Sequence, residues 1–229
     1  MASELPEIMR KDLRVVIVGG GHVGYHTAER LNNRGHDVTV VEKDEDRVEF
    51  LNDQYVATVI HGQGGRPSVL RQTNLENSDV IAALTSYGAM TNIGICATAR
   101  RIAPDVRTVA RIDHGDDEEF GEMVDATVYP EELAAHAAAN EVIEVSGGGV
   151  RTIEEVTDDL ELTEVRVEAD APVAGRTLAE VSFPRGALVV TDTRTGRFPT
   201  AETTLEPGVQ YVLAVRADVA DEVVRLLRG

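Results

Sequence analysis

The sequence predicts an α/β protein: a doubly wound parallel sheet of six strands, followed by a small α+β domain. Two observations support this. Six apolar, β-branched runs alternate with helical segments, and beyond residue 147 the pattern changes to short strands with turns between them. Strands that alternate with helices are typical of a parallel sheet with helices on both faces.

The six apolar runs predict the strands of that sheet, and the segments between them predict its helices. The runs begin near Leu13, Val38, Ala57, Val80, Thr108 and Ala126. In the helix before the fifth run, Ile93, Cys96 and Ala97 have the spacing of a buried helical stripe. Cys96 is therefore predicted to be a core residue and not a reactive thiol.

A longer, alanine-rich helix is predicted from Pro130 to about Val145. Proline suits the first position of a helix, and the two glutamates that follow suit its first turn. Glycines 147–149 end the helix and predict a flexible joint. We therefore place the domain boundary there, with domains at residues 1–146 and 147–229.

The second domain is predicted to combine short strands with two helices. The predicted elements are a strand at Leu162–Val167, a short helix at Gly175–Val181, strands at Ala187–Thr191 and Gln210–Val215, and a helix from Asp218 with Val219, Val223 and Leu226 inward. A domain of this size suits a sensory or dimerisation module and is too small for most catalytic substrate domains.

The glycine-rich motif GGGHVG stands between the first strand and the first helix. In the dinucleotide-binding fingerprint the first glycine, Gly19, allows a tight turn, and Gly21 lets a pyrophosphate approach the backbone. Gly24 lets the helix pack closely on the strand, and the helix N-terminus offers N–H groups to phosphate. This context predicts a Rossmann-like nucleotide site, with a glycine-rich structural turn as the alternative.

The second strand ends in an acid, Glu42, 18 residues after Gly24. A carboxylate there can accept hydrogen bonds from both hydroxyls of a ribose, whereas a 2′-phosphate would meet like charge. The residue therefore favours NAD or an adenosine nucleotide over NADP.

The net charge of −18 comes from 40 acidic and 22 basic residues. Nucleic acid and anionic lipid both attract basic surfaces, so neither is an expected partner. Lys11 and Lys43 are the only lysines. An acidic surface with little lysine fits concentrated salt, which screens self-repulsion. We expect a halophilic host, with a moderately acidic mesophilic protein as the alternative.

Composition also predicts the compartment. No apolar run approaches the ~20 residues that a membrane-spanning helix needs, and the N-terminal segment MASELPEIMRKD lacks the apolar stretch of a signal peptide. A single cysteine excludes an internal disulfide framework. A cytoplasmic protein is expected, without direct membrane insertion.

The chain resembles the regulator-of-K⁺-conductance family, which includes the TrkA-like subunits of potassium uptake systems. The resemblance rests on VVIVGGGHVG, VTVVEKDEDRVEFL, VIHGQGGRPSVLRQ, VARI and VYPEELAAHAAA in the first domain, and on AGRTLAEVSFPRGALVVTDTRTGRFPTAETTLEPG in the second. It implies a nucleotide-sensing regulatory subunit, not an enzyme. Such subunits pair through a crossover helix, here the one from Pro130. The homodimers assemble into a tetramer or larger ring beneath a membrane-embedded potassium transporter subunit of the TrkH or KtrB kind.

The resemblance also implies a set of cofactor-binding residues and no catalytic or metal-binding ones. The glycine turn would hold the phosphates and Glu42 the ribose. Lys43 would contact the adenosine end, the turn at residues 62–64 would lie beside the adenine, and Arg111, at the end of the fifth strand, would face phosphate. The set is Gly19, Gly20, Gly21, His22, Val23, Gly24, Glu42, Lys43, Gly62, Gln63, Gly64, Thr85, Ser86 and Arg111. Family members that read ATP against ADP carry arginine at the position of His22, so NAD or NADH is favoured, with ATP or ADP as the alternative.

Two other functions stay open at this level. The motif GGGHVG with a following VTVVE also occurs in small precorrin-2 dehydrogenases, which use NAD. We find no candidate catalytic lysine or histidine in a substrate domain, and an acidic protein would repel a polycarboxylate substrate. The same domains could instead regulate a cation antiporter or efflux channel, and the sequence does not separate these partners.

Overall fold

The computed structural model describes residues 12–112, 122–145, 149–157 and 159–229. The chain divides into two compact units, Met1–Leu133 and Ala134–Gly229. The division falls within the helix that starts at Pro130, and the boundary after residue 146 stays a prediction. Residues 147 and 148 of the predicted glycine joint lie outside the described residues.

The first unit is built on a six-stranded parallel sheet, as predicted. Its strands are β1 Arg14–Val18, β2 Asp37–Glu42, β3 Thr58–His61, β4 Val80–Ala83, β5 Arg107–Arg111 and β6 Ala126–Val128. Its helices are α1 His22–Asn33, α2 Glu45–Gln54, α3 Pro67–Leu70 and α4 Ala89–Ile102. The strands lie in the order β3-β2-β1-β4-β5-β6.

That order places a crevice above β1. The chain moves outward in one direction from β1 to β3 and in the other from β4 to β6, so the winding reverses between β1 and β4. Val16 of β1 lies beside Thr39 of β2 on one side and Ile81 of β4 on the other. Ligands of open α/β sheets bind at such a reversal, outside the carboxyl ends of the strands.

Apolar side chains cover both faces of the sheet. Ile17, Ala28 and Leu51 are fully buried on one face, and Ile81 and Cys96 on the other. This burial on two faces explains why the strands read as continuous apolar runs.

The predicted stripe on α4 was wrong at one position. Ile93 and Cys96 are buried, but Ala97 is exposed, and Ile95 and Ala99 are buried instead. Successive helical residues lie about 100° apart, so Ala97 points away from the face that Cys96 and Ala99 share.

Helix α5 spans Pro130–Val145, as predicted. Several large apolar side chains along it are exposed, among them Leu133, Val142 and Val145. Within the described residues, no helix has both the length and the apolar character needed to cross a membrane.

The second unit contains a four-stranded antiparallel sheet in the order β7-β8-β10-β9. Its elements are β7 Val150–Thr157, β8 Leu160–Arg166, β9 Ala187–Asp192, β10 Gln210–Arg216 and the helix α6 Ala220–Arg228. Three of these strands were predicted, and β7 was missed.

Two further predictions for this unit were wrong. The helix expected at Gly175–Val181 is only one 3₁₀ turn, Leu178–Glu180. On α6 the fully buried leucine is Leu227, while Leu226 is half-buried.

Candidate functional site

The glycine turn after β1 is tight because its glycines have close neighbours. Gly19 has a φ of +103°, and an added Cβ there would lie 3.1 Å from the backbone of Leu84. A Cβ on Gly24 would overlap the carbonyl oxygen of Gly19, and one on Gly20 would overlap the Leu51 side chain. Gly19 and Gly24 therefore require glycine, whereas a Cβ on Gly20 would have to displace the buried Leu51 side chain.

Gly21 differs from its neighbours. A Cβ on Gly21 would meet no atom within 4 Å, and its φ of −63° is open to any residue. Among the residues that the structure describes, the glycine therefore meets no packing need, and its exposed backbone lines the crevice. An incoming group can approach the main chain most closely at this point.

The N-terminus of α1 is also open to an anion. Gly21 is its N-cap residue, no side chain within the described part of the chain caps the helix, and its first turn contains no acid. The first N–H groups of a helix lack intrahelical partners and carry a partial positive charge. This terminus therefore suits a phosphate group.

The Glu42 carboxylate is held beside the glycine turn. Its Oε2 accepts a hydrogen bond from the Gly20 N–H at 2.6 Å. Its Oε1 accepts from the N–H groups of Lys43 at 2.6 Å and Asp44 at 2.9 Å. Two carboxylate oxygens offer about four acceptor positions, so capacity remains for a ligand hydroxyl.

Arg47 and Tyr87, which the sequence analysis did not name as site residues, lie in the same region. The Arg47 guanidinium donates to the Gly20 carbonyl oxygen, with Nη2 at 2.6 Å and Nε at 3.2 Å. The Lys43 ammonium lies 4.0 Å from the centroid of the Tyr87 ring, and a hydrogen bond with the Tyr87 side chain raises the pKa of Lys43. Tyr87 stands in the segment SYGAM, whose apolar character was the available sequence signal.

The predicted adenine turn at residues 62–64 packs against the end of the sheet. The Gly62 N–H donates to the Glu42 carbonyl oxygen at 2.7 Å. A Cβ on Gly62 would lie 2.9 Å from the Val69 side chain, and one on Gly64 would overlap Val18. Gly62 thus keeps this turn close to α3, and Gly64 keeps it close to β1, which explains both glycines without a ligand.

The sequence analysis did not name Asn92 as a site residue. Its side chain links the ends of β4 and β5. Its Oδ1 accepts from the Thr85 N–H at 3.1 Å and from the Thr85 hydroxyl at 2.7 Å. Its Nδ2 donates to the carbonyl oxygens of Thr85 at 3.0 Å and Arg111 at 2.8 Å. This fully buried amide therefore fixes the ends of β4 and β5 relative to each other.

Arg111 ends β5 and has a mostly buried side chain, 13% exposed. Its guanidinium forms an ion pair with Glu131, which lies in the first turn of α5. The sequence predicted that Arg111 faces phosphate and did not predict a carboxylate partner.

These residues surround one cavity of about 960 Å³, a size that suits a cofactor. The predicted residues that line it are Gly19, Gly21, His22, Val23, Glu42, Lys43, Gly62, Gln63, Gly64, Thr85, Ser86 and Arg111. Gly20 and Gly24 do not line it, because they are packed in the turn behind it. Asp44, Arg47 and Tyr87 also line it, together with Val18, Val41, Gly65, Leu84, Met90, Thr91, Gly94 and Ile95. The assignment of these residues to a cofactor stays a prediction.

A glycine turn beneath such a cavity, at the reversal of a doubly wound sheet, is the arrangement that dinucleotide-binding domains share. Residues 15–130 match the TrkA-N domain family, and residues 162–228 match the TrkA-C domain family. The chain therefore belongs to the family of proteins with TrkA-N and TrkA-C domains.

Its relatives include Trk potassium uptake proteins of two lengths. The Trk system potassium uptake protein TrkA homolog of Pyrococcus horikoshii is 25% identical over 223 residues, covering 93% of this chain and 96% of that protein. TrkA of Halomonas elongata is 26% identical over 231 residues, covering 90% of this chain and 48% of that protein. The chain therefore spans nearly the whole of the first relative and about half of the second.

Solved structures share the fold. The crystal structure of the GsuK RCK domain matches with a TM-score of 0.60 and 19% identity, over 98% of this chain and 49% of that chain. The GsuK channel bound to NAD matches equally well, over 98% of this chain and 40% of that chain. At this identity the likeness concerns the fold alone, and this chain spans half or less of those chains.

Proposed function

We propose that this protein is a nucleotide-sensing regulatory subunit of a potassium uptake system, with NAD or NADH as its signal. One observation carries the proposal: the crevice beside Gly21 and the uncapped start of α1 is open, in a chain whose two parts match TrkA-N and TrkA-C. The NAD-bound GsuK channel, which has a similar fold, supports the choice of ligand.

The ligand would lie across the ends of the strands. The pyrophosphate would sit on the backbone of Gly21 and the start of α1, and the adenosine ribose on Glu42. The adenine would lie beside Gln63, and the nicotinamide end would reach the loop at Thr85–Ser86 and Arg111. None of these roles needs a proton or a hydride to move, so the nucleotide leaves unchanged.

Signalling requires assembly. We propose that α5 acts as the crossover helix of a homodimer, and its exposed Leu133, Val142 and Val145 support this role. Dimers would form a tetramer or larger ring on the cytoplasmic face of a membrane-embedded potassium transporter subunit. A nucleotide shifts such a ring only by its difference in affinity for the two shapes, and a shift from 1:99 to 99:1 needs about 10⁴-fold.

A thermal titration tests the nucleotide site. The melting temperature in molar KCl is measured with NAD, NADH, ATP and ADP, for the wild type and for Glu42→Ala. A nucleotide at 100 times its Kd stabilises the fold by about 2.7 kcal/mol, and we expect Glu42→Ala to remove most of that gain. Glu45→Ala is the matched control, because it removes an exposed acid of α2 outside the cavity. If no nucleotide shifts the wild-type melting curve, the proposal is wrong.

A flux assay tests the regulatory role. The host's potassium-transporting membrane subunit is reconstituted in liposomes with and without this protein, and K⁺ uptake is followed as nucleotide is added. We expect nucleotide-dependent uptake only when both proteins are present. If nucleotide instead controls the flux of another cation through an antiporter or efflux channel, that protein is the partner and the potassium transporter is not. If the protein oxidises an added substrate with NAD, it is a dehydrogenase and not a regulatory subunit.

A further inference from the structure

We infer that Arg47 is a positioning residue for the phosphate site: it holds the Gly20 peptide so that the start of α1 presents its N–H groups to a phosphate. The inference rests on the proposed nucleotide site and assigns a role in it to a residue outside the dinucleotide-binding fingerprint. It follows from the hydrogen bonds that fix Gly20 on both sides.

Gly20 is buried, and both of its backbone polar groups are engaged by side chains. Its N–H donates to the Glu42 carboxylate at 2.6 Å. Its carbonyl oxygen accepts from Arg47 Nη2 at 2.6 Å and Nε at 3.2 Å. The hydrogen bonds of α1 begin one residue later, where the Gly21 carbonyl accepts from the Tyr25 N–H. The guanidinium therefore gives the buried Gly20 carbonyl a partner that the helix does not provide.

The Arg47 side chain is itself held in place from α2. Its backbone N–H donates to the carboxylate of Asp44, the N-cap residue of that helix, at 3.0 Å. Its guanidinium lies 4.6 Å from the centroid of the Phe50 ring. That ring packs edge-on against the Tyr25 ring of α1, with 5.3 Å between the centroids. Arg47 thus links the start of α2 to the glycine turn.

The turn needs such a restraint because glycines adopt many backbone conformations, and three stand in succession at residues 19–21. No described atom lies within 4 Å of a Cβ built on Gly21, so packing does not restrain that residue. Without Arg47, the Gly20 carbonyl can regain a partner by turning its peptide toward water, which moves the adjoining start of α1. A phosphate would then have to order these N–H groups on binding, and that ordering lowers the affinity.

Arg47 also lines the cavity, so the alternative is that its charge binds phosphate directly. The two hydrogen bonds to Gly20 favour positioning, because they direct the guanidinium to the main chain. The two roles differ in their dependence on salt. An ion pair between guanidinium and phosphate weakens as salt screens it, whereas the orientation of an uncharged peptide is not screened.

The test compares Arg47→Met with the wild type and with Arg30→Met. Methionine favours helices and keeps an unbranched apolar side chain beside Phe50, but it donates no hydrogen bond. Arg30→Met removes the same charge from the exposed last turn of α1, outside the cavity. The Kd values for NAD and ADP are measured by calorimetry, and that for adenosine, which has no phosphate, by NMR titration. The ADP titration is repeated at several KCl concentrations, and melting curves confirm that each variant is folded.

We expect Arg47→Met to raise the Kd values for NAD and ADP about tenfold, or about 1.4 kcal/mol, and that for adenosine less than about twofold. The Kd for ADP should depend on KCl with the same logarithmic slope in the variant and the wild type, because no ionic contact with phosphate is lost. Arg30→Met should match the wild type in all three Kd values.

Phe50→Leu provides a second variant that keeps Arg47 and removes the ring beside its guanidinium. We expect the same pattern at a smaller size, with the Kd for ADP raised about threefold and that for adenosine unchanged, because the cation–π contact that holds the guanidinium is lost. If Arg47→Met does not fold, the ratio of ADP to adenosine affinity in Phe50→Leu decides, and an unchanged ratio overturns the inference.

Three results with Arg47→Met would overturn the inference alone. An unchanged Kd for ADP would show that Arg47 has no role at the site, and an equal loss of ADP and adenosine affinity would show a merely structural one. A flatter dependence on KCl would show a direct ionic contact with phosphate. In each case nucleotide binding by the wild type keeps the proposed function intact. If the wild type binds no nucleotide at all, the inference and the proposed function are both wrong.

Discussion

Replacing two glycines of the same turn by alanine should separate folding from binding. Gly24 packs against the chain, since an added Cβ would overlap the Gly19 carbonyl oxygen and lie 3.0 Å from the Gly19 carbonyl carbon. Gly21 has no neighbour within 4 Å of an added Cβ. Gly24→Ala should therefore destabilise the fold, and Gly21→Ala should weaken nucleotide binding without destabilising it.

The cost of Gly24→Ala can be estimated from this overlap. Overpacking a core costs typically 1–3 kcal/mol, and contact with a backbone oxygen that cannot rotate away places this site near about 3 kcal/mol. Alanine in a helix regains at most about 1 kcal/mol relative to glycine. The net loss of about 2 kcal/mol should lower the melting temperature of the first unit by roughly 6–10 °C.

Gly21→Ala should behave in the opposite way. The φ of −63° suits alanine. Alanine is a poorer N-cap residue than glycine, but it also makes the unfolded chain less flexible, and the two effects oppose each other. The free energy of unfolding should therefore change by less than about 0.5 kcal/mol. The new methyl group would stand where the pyrophosphate approaches, and the Kd for NAD should rise at least tenfold, about 1.4 kcal/mol.

The assay follows labelling of the single cysteine during heating. Cys96 is buried in the first unit, so its exposure to a thiol reagent reports the unfolding of that unit without interference from the second. NAD affinity is measured in parallel by calorimetry. The reasoning is refuted if Gly24→Ala melts like the wild type, or if Gly21→Ala binds NAD as tightly as the wild type does.

Three further predictions concern titration and salt. Burial raises the pKa of the Cys96 thiol to about 11, so about one thiol in a thousand is ionised at pH 8. A thiol reagent should therefore label the protein only after urea is added. Rapid labelling of the native protein would contradict the burial of Cys96. Asp125 accepts hydrogen bonds from the Thr108 N–H at 2.7 Å and hydroxyl at 2.9 Å and pairs with Arg100. These contacts, the Thr108 N–H first, lower the pKa of Asp125, and a carboxyl with a lowered folded pKa stabilises the fold above its unfolded pKa of about 4 and loses that contribution as the pH falls. Asp125→Asn should therefore lower the free energy of unfolding by about 1 kcal/mol at pH 7, and a difference from the wild type that stayed constant between pH 5 and pH 3 would refute the assignment. With a net charge of −18, the melting temperature should rise between low and molar KCl as the Debye length falls to about 3 Å, and a flat curve would exclude adaptation to salt.

Much of the first unit could be predicted because its central strands, β1 and β4 above all, are buried on both faces. Continuous β-branched runs mark such strands directly, and GGGHVG fixes where the first helix begins. The error at Ala97 arose because several adjacent apolar residues of α4 fit a stripe, and only the sheet decides which of them face it.

The second unit shows what local patterns leave open. Strand β7 contains three charged residues, Arg151, Glu154 and Glu155, and follows a run of glycines, so pairing with β8 determines it more than its own pattern does. The segment at Gly175–Val181 contains helix-forming residues, yet Thr177 and Glu180 form a capping box around a single turn, Leu178–Glu180.

Long-range side-chain contacts account for what was missed at the site. The Asn92 side chain binds Thr85 and also the carbonyl oxygen of Arg111 at the end of β5. Arg111 lies 19 positions after Asn92 in the chain. The pair of Arg111 with Glu131 spans 20 positions. The types of these residues were visible in the sequence, but their partners depend on which strands and helices meet at the carboxyl edge of the sheet.

The most direct test of the account is to recover the ligand after binding. The protein is equilibrated with NAD in KCl and separated from free nucleotide, and the bound fraction is released and identified by mass spectrometry. We predict one nucleotide per chain, recovered as unaltered NAD, with much less retained when Gly21→Ala is treated in the same way. Recovery of NADH after incubation with a reduced substrate, or no retained nucleotide at all, would contradict a site that binds a dinucleotide as a signal.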